Sequence, residues 1–154
     1  MRPPADDDTA STCRSDAISA ALYDINTDEL RFVVLDGPGA DARRGEAVPV
    51  GVGLFGVAAK ANAPMLVGDP MADPRFDPGV DGRMDLEARN MLLASCHHES
   101  RLLAVLQLIN RQQKAHFGGG DSNLVAYIGE QLAKFLYEHR TKADEKPKAG
   151  ARRR

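Results

Sequence analysis

Short apolar runs separated by Gly/Pro/Asp-rich breaks run along this chain, and their periods predict a mixed fold of strands and helices. From Ala17 to Tyr23 apolar and small residues alternate, the period of a half-buried strand. Asp24–Asp28 is turn chemistry. Glu29–Leu35 reads as a second strand, with Leu30, Phe32 and Val34 on one face. Two strands joined by so short a polar link form an antiparallel hairpin. Asp36–Gly39 ends it, a polar loop runs to Gly45, and Glu46–Val50 is a short extended piece. Leu54, Val57, Ala58 and Ala61 then fall at helical spacing, which predicts a helix over 54–61. Pro64 stops it by disfavouring the helical region at Ala63. Met65–Val67 is a short strand.

Residues 68–85 read as a loop. Asp69-Pro70, Asp73-Pro74 and Asp77-Pro78 recur every fourth position, Asp81 and Asp85 continue the spacing, and the prolines forbid a continuous helix. One helical turn is expected over 84–89. Asn90–Cys96 reads as a strand, His97–Ser100 as a turn, and Arg101–Ile109 as the most strand-like run of all. These form a second hairpin, expected at the centre of the sheet because its apolar content is nearly continuous. After a loop with three consecutive glycines, Asp121 or Ser122 caps the longest helix, running to about His139 or Arg140. Its apolar stripe is Leu124, Ile128, Leu132, Phe135 and Leu136. Residues 1–15 and the charged tail 141–154 lack apolar anchors and are expected to be disordered, leaving one domain over 16–140.

Composition narrows the classes. A chain of 154 residues has the length of one domain and buries a core without disulfides or metals. A net charge of −2 supplies no global field for nucleic acid or a membrane surface. No apolar run approaches the roughly 18 residues of a membrane-spanning helix, and Met1–Asp8 has no secretory apolar stretch. The two cysteines, Cys13 and Cys96, are too few for a disulfide framework, so a reducing cytoplasm is the expected setting. The C-terminal arginines carry no interleaved aromatics and read as a solvated tail, not a nucleic-acid arm.

Three constellations invite sharper chemistry. Gly51, Gly53 and Gly56 spell the dinucleotide fingerprint G-x-G-x-x-G. That site needs a buried parallel strand before the glycines, and Pro49 argues against one. The glycines read instead as a tight helix entry packed closely on the sheet. The Asp69, Asp73, Asp77, Asp81 and Asp85 series offers oxygen ligands, but its spacing is not that of a calcium loop, and Asp before Pro is a turn initiator. Cys96, His97, His98 and Glu99 cannot converge on a metal, because neighbours in a strand point to opposite faces. No cofactor or metal is expected, and no nucleophile–base pair or phosphate loop points to an enzyme.

Several landmarks stand in order. They are the Tyr23-Asp24 hairpin end; Val48–Ala58, with its Pro and three glycines; Asp69 and the Asp73-Pro-Arg-Phe76 box; Leu103–Asn110; and Phe117 with Asp121. Together they resemble the GAF domain, a small-ligand sensory module related to PAS domains, over roughly Ala17 to Arg140. The resemblance implies an α/β (α+β) fold. An antiparallel sheet of five to six strands would carry the 54–61 helix and lid loops on one face and the last helix on the other. It implies a non-catalytic regulatory module that binds a small molecule, a cyclic nucleotide among the candidates, between sheet and lid and signals in trans. Asn110, Arg111, Phe117 and Asp121 match the N-K…F…D-E pattern of cyclic-nucleotide-binding members, with Arg for Lys and Ser122 in place of Glu. They imply a lid lock in which Arg111 pairs with Asp121.

Ligand contacts are expected from Arg75, Phe76 and Arg89, with Asp69 as the hinge into the lid. An aromatic face and a cation suit a purine and a phosphate. The alternative is that Phe76 plugs the lid while Arg75 pairs with a nearby Asp. Some GAF proteins reduce free methionine sulfoxide with cysteines, and others attach a bilin to one. Neither cysteine arrangement is matched by Cys13 and Cys96. The family's usual first helix is not evident before Ala17. The stripe of the last helix is therefore expected to lack cover, which favours a homodimer or a partner protein at that helix. A ligand-free dimerisation module is the alternative reading.

Overall fold

A computed structural model describes residues 13–82 and 86–152, with side chains as far as His139. The expectation for the first residues thus lies outside the described chain except at 13–15, as do Asp85 and the start of the turn expected at 84–89. The strands are β1 (Ser15–Asp24), β2 (Glu29–Asp36), β3 (Ala47–Pro49), β4 (Met65–Val67), β5 (Met91–His98) and β6 (Arg101–Arg111). They form one six-stranded antiparallel sheet in the order β3-β2-β1-β6-β5-β4. The helices are α1 (Gly53–Ala58), the four-residue α2 (Pro78–Asp81) and α3 (Gly119–Arg152), and 3-10 turns occupy Ala40–Arg43 and Pro70–Ala72. No helix among the described residues is long and apolar enough to cross a membrane.

Both hairpins form as their turn chemistry dictates, but the first carries an irregularity. Ala20 pairs with Val34 and Ala21 with Phe32, so Val33 has no partner on β1. Such a bulge reverses the side-chain alternation beyond it. Leu30, Phe32 and Leu35 are therefore the buried residues of β2, and Val34, expected on their face, is 53% exposed.

The sheet separates two apolar layers. On one face Phe32, Leu30, Met91, Leu93 and Val105 pack against Leu54, Phe55 and Ala58 of α1, with Phe76, Leu86 and Ala88 of the covering loops against the same core. α1 approaches closely because its glycines leave room. A Cβ on Gly56 would stand 2.7 Å from the carbonyl of Pro49 and 2.9 Å from the nitrogen of Gly51. The glycine fingerprint is thus a packing device, and the strand before it, β3, is a sheet edge paired antiparallel with β2.

α3 covers the other face, but with a different side from the expected stripe. Val125, Gly129 and Ala133 are buried, Leu132 and Leu136 partly so, while Leu124, Ile128 and Phe135 are exposed. Small residues decide this. A Cβ on Gly129 would meet the sulfur of Cys96 at 3.1 Å, so the helix lies nearest the sheet where its side chains are smallest. α3 also extends to Arg152, past the expected end near His139 or Arg140, so 141–152 is helix and not the expected irregular tail. Thr141–Lys146 is mostly Lys, Ala and Glu, good helix formers with no stop signal before Pro147.

Gly56→Ala is expected to destabilise the fold by about 1–3 kcal/mol, because rigid backbone meets the new methyl. Gly120→Ala, with open space around it in the first turn of α3, is expected to stabilise by about 0.5–1 kcal/mol. Urea midpoints of the two variants against wild type measure both.

Candidate functional site

The far end of the central hairpin is the most densely bonded polar region of the described chain. Asn110 leaves β6 with a left-handed backbone, φ 64°. This conformation suits Asn better than most side chains. Its Oδ1 accepts the backbone N–H groups of Arg89 (2.6 Å) and Asn90 (3.3 Å), and its Nδ2 donates to the carbonyl of Glu87 (2.9 Å). Asn110 thus pins the 87–90 segment that enters β5. Asn90 reciprocates from that segment: its Oδ1 accepts from the Arg111 N–H (2.9 Å) and its Nδ2 donates to the Ala115 carbonyl (3.0 Å).

Arg111, the next residue, reaches the opposite face. Its Nε donates to Asp121 Oδ2 at 3.0 Å in a buried ion pair, and its Nη1 donates to the Gln112 carbonyl at 2.8 Å. Asp121 Oδ2 also accepts the N–H of Gly118 (2.9 Å), the residue before α3 begins. A carboxylate in the first turn that reaches back to the residue before the helix is the acidic half of a capping box. Burial alone would raise the Asp121 pKa, but the Arg111 guanidinium and the Gly118 N–H outweigh it and hold it below its ordinary value. Phe117 is buried beneath this turn with Leu92, Leu108 and Val125. The four residues expected to form the lid lock are therefore brought together, as two clamps back to back: Asn110 on the entering loop, Arg111 with Asp121 and Phe117 on α3.

The loops over the first face enclose a pocket of about 360 Å³ whose walls include Met71, Phe76, Asp81, Leu86 and Ala88. Asp81 is the pocket's buried charge. It accepts three backbone N–H groups, from Leu54 (2.7 Å), Phe55 (3.2 Å) and Asp77 (2.9 Å). Two of these open α1, so the last residue of α2 caps a helix far back in sequence. Burial pushes the Asp81 carboxyl up from its ordinary value, with the three N–H donors opposing and the charge of Asp77 adding to the rise. Ser19 and Gln107 add a buried polar pair, with the Ser19 hydroxyl donating to Gln107 Oε1 at 3.0 Å. Their neighbours Ala17, Ala21, Val105 and Ile109 belong to this face.

Of the expected ligand contacts, Phe76 lines the pocket. Arg75 is 45% exposed and forks onto Asp73 at 2.9 and 2.7 Å. That pair holds the Asp73 carboxyl down at about 2. Arg89 is 60% exposed and faces Asp16 at 3.7 Å. Asp69 is exposed ahead of the Pro70–Ala72 turn. These three do not converge with Phe76. Sequence reading missed Asn90, Asp81, Ser19 and Gln107. Asp81 had a visible signal, standing three residues after a proline in a series of turn-forming aspartates, but its partners lie 26 and 27 positions upstream.

A larger opening, about 920 Å³, lies on the other face between α3 and strands β1 and β6. Ile18, Leu106, Leu108, Leu124 and Ile128 floor it, and Arg14, Lys114 and His116 are among its walls. Cys13 borders it. Burial and the nearby Asp121 carboxylate push the Cys13 thiol up to about 11, and burial pushes Cys96 up to about 12. Both are thiols at neutral pH, poor nucleophiles. Cys13 stands beside Asp121 and Cys96 beside Gly129, eight positions apart on α3. At helical rise that is about 12 Å, too far for the two sulfurs to bond. Among the described residues no group of His, Cys, Asp and Glu could hold a metal ion.

The pKa of Asp121 gives a pH dependence of definite sign. A depressed carboxyl contributes stability that is present above its unfolded pKa, about 3.9, and is lost as pH falls through the folded value. Asp121→Asn is therefore expected to flatten the acid loss of stability below about pH 4. Asp81, raised by burial, works in the opposite sense and partly offsets that loss. At pH 7 Asp121→Ala should cost about 3–5 kcal/mol by stranding Arg111, and Asp73→Ala, in an exposed pair, about 0–1 kcal/mol. Urea unfolding from pH 2.5 to 7 tests all of these.

Known proteins share this fold. The GAF domain family model matches residues 7–136. Among solved structures, the GAF domain of a phosphoenolpyruvate-protein phosphotransferase from Coxiella burnetii is 20% identical with a TM-score of 0.73, over 84% of this chain and 76% of that one. The free methionine-R-sulfoxide reductase of Neisseria meningitidis, in complex with its substrate, is 23% identical with a TM-score of 0.67, over 83% and 71%. The second GAF domain of DevS from Mycobacterium smegmatis is 16% identical with a TM-score of 0.67, over 92% of each chain. No curated protein matches the chain. With its six-stranded antiparallel sheet and a family match over most of its length, the chain belongs to the GAF domain family.

Proposed function

We propose that this GAF domain is a non-catalytic regulatory module that binds a small molecule between the sheet and the 70–90 loops and reports it through α3. The observation that carries this reading is the pair of clamps on adjacent residues of β6. Asn110 holds the loop that borders the pocket, and Arg111 holds the start of α3. A ligand that re-seats Leu86 and Ala88 acts on the backbone that Asn110 binds, and the same strand end carries the helix clamp. The ligand shifts the balance between two loop positions by its differential affinity for them. Phe76 supplies the aromatic wall, and Arg75 and Arg89 hold the loop through Asp73 and Asp16.

The reductase relatives make an enzyme the competing class, and the cysteines argue against it here. Both lie on the α3 side of the sheet, away from the pocket, Cys13 beside Asp121 and Cys96 beside Gly129, and with raised thiol pKa values. A second association surface has its own support. Leu124, Tyr127, Ile128 and Phe135 of α3 are all exposed, which favours a homodimer or a partner helix on that face.

Thermal shift against a broad metabolite panel that includes cyclic nucleotides is expected to yield at least one stabilising compound, because a ligand bound only by the folded state raises stability by mass action. Hydrogen exchange should then slow at 86–90 and at the first turns of α3 together, and Asn110→Ala should uncouple the two. Complete silence of the panel would sink the reading. Turnover of free methionine-R-sulfoxide with a thiol reductant, lost in Cys96→Ala or Cys13→Ala, would make the protein an enzyme instead.

A further inference from the structure

The larger opening, on the α3 face, has no part in the ligand reading above. At about 920 Å³ it falls within the range of about 300–1,000 Å³ typical of small-molecule sites. Three elements build its aliphatic floor: Ile18 of β1, Leu106 and Leu108 of β6, and Leu124 and Ile128 of α3. Its polar groups are gathered at one end, where β1 begins, β6 ends and α3 starts. Arg14, Lys114 and His116 stand there. Gly118 and Gly120 border the same end without side chains, and open space surrounds both. Leu108 pairs with Ile18 and Leu106 with Ala20, so the floor runs away from that end along the two strands.

Charge at that end is one-sided. Among the described residues no side-chain hydrogen bond or ion pair holds Arg14, Lys114 or His116. The carboxylates of the same region are engaged or face elsewhere. Asp121 is closed by Arg111 at 3.0 Å, and Asp16 sits between Arg89 at 3.7 Å and Gln112 at 3.1 Å. Asp36, opposite Ile18 on β2, lines a separate hollow beside Gly37. The groove thus offers cations at one end and aliphatic side chains over the rest, the complement of an anion with an apolar tail. The loop-side pocket has the opposite sign, with Asp81 and Glu87 among its walls, and would repel the same molecule.

We propose that this groove is a second ligand site and that its occupant is a free aliphatic carboxylic acid. The chain lies on Ile18, Leu106 and Leu108 against Leu124 and Ile128, and the carboxylate meets Arg14 and Lys114. Burial of the chain supplies most of the affinity. The exposed cations add less and select the sign of the head group. Leu124 and Ile128 belong to the first turns of α3, and Arg111 and Asp121 border the same groove. A bound acid therefore bears on the helix clamp from the face opposite the loops, so α3 has an input on each face of the sheet. Occupation also covers Leu124 and Ile128, two of the exposed apolar residues that a second copy or a partner helix would use.

The test titrates octanoate, decanoate and dodecanoate, kept below micelle formation, into the full chain, with 1-decanol and decylamine as the neutral and cationic counterparts. Calorimetry gives affinity and stoichiometry. Methyl NMR resonances of Ile18, Leu106 and Ile128 report the groove, and those of Leu54 and Leu86 report the loop side. One acid is expected to bind per chain, with affinity rising by about 2- to 4-fold per methylene. The groove methyls should shift and the loop-side methyls should not. Decanol should bind about 3- to 30-fold more weakly than decanoate, and decylamine more weakly still. The double variant Arg14→Gln, Lys114→Gln changes only exposed side chains. It should fold as the wild type does, lose about 3- to 30-fold in decanoate affinity and keep its decanol affinity. Ile128→Gln, at a half-exposed position, should weaken both. Equal binding of decylamine and decanoate, several molecules per chain, shifts confined to the loop side, or full decanoate affinity in the double variant each overturns the proposal. So does silence toward every acid, whether a second copy or the chain's own first residues cover the floor. The loop-side reading stands or falls separately, by the metabolite panel.

Discussion

The exchange of hydrogen bonds between Asn90 and Asn110 is the constraint from which the rest of the site follows. β5 and β6 are neighbours in the sheet, and at their far end the backbone ladder must stop. It stops with side chains replacing backbone. Asn110 turns left-handed and binds the loop entering β5, and Asn90 binds the chain leaving β6. Neither amide could be an aspartate in that place, because each both donates and accepts. Once this closure is made, Arg111 is fixed with its side chain on the α3 face. Only from there can it meet Asp121 and set where α3 begins. One knot thus positions the covering loops on one side of the sheet and a 34-residue helix on the other.

The two faces are closed by different means. On the loop side, large side chains fill the space, and glycine is needed where α1 crowds the backbone at Pro49 and Gly51. On the α3 side, small residues of the helix meet the sheet, and the large ones are turned outward. Close packing along Gly129 and Ala133 draws α3 toward β5, and its approach to β1 is left open between Ile18 and Leu124. The groove on that face is the geometric complement of the tight contact beside it.

Much of this was legible in the residues. Every strand and its pairing partner in the two hairpins could be read, because turn chemistry and two-residue alternation are local signals. The Arg111–Asp121 pair and Phe117 were legible only through the resemblance to the N-K…F…D-E pattern, since nothing in local periodicity shows which side chains meet where a strand hands over to a helix. The failures are equally physical. Val34 was assigned to the core because nothing in Arg31–Leu35 marks the unpaired Val33, which arises from the fit of β2 to β1. The α3 stripe was misassigned because hydrophobicity alone cannot show that Gly129 and Ala133 win the sheet over Leu124 and Ile128. Asp81 and Arg43 were invisible as buried charges, since burial of a charged side chain depends on what folds over it.

Asp81 also shows why the loop side, although the smaller opening, is the more consequential one. It is a charge held within the layer that the covering loops close. Asp81 is saturated by backbone donors, two of which belong to the start of α1, so its position and the seating of α1 are one variable. A loop that moves Asp81 must either carry α1 with it or strand two helix N–H groups, at about 1–3 kcal/mol for each group left unpaired. This resists motion on the Asp77–Asp81 side. The Leu86–Asn90 side is held instead by Asn110, through Glu87, Arg89 and Asn90. The loops are therefore anchored to α1 at one end and to β6 at the other, which favours adjustment between the two anchors over a rigid swing of the whole cover.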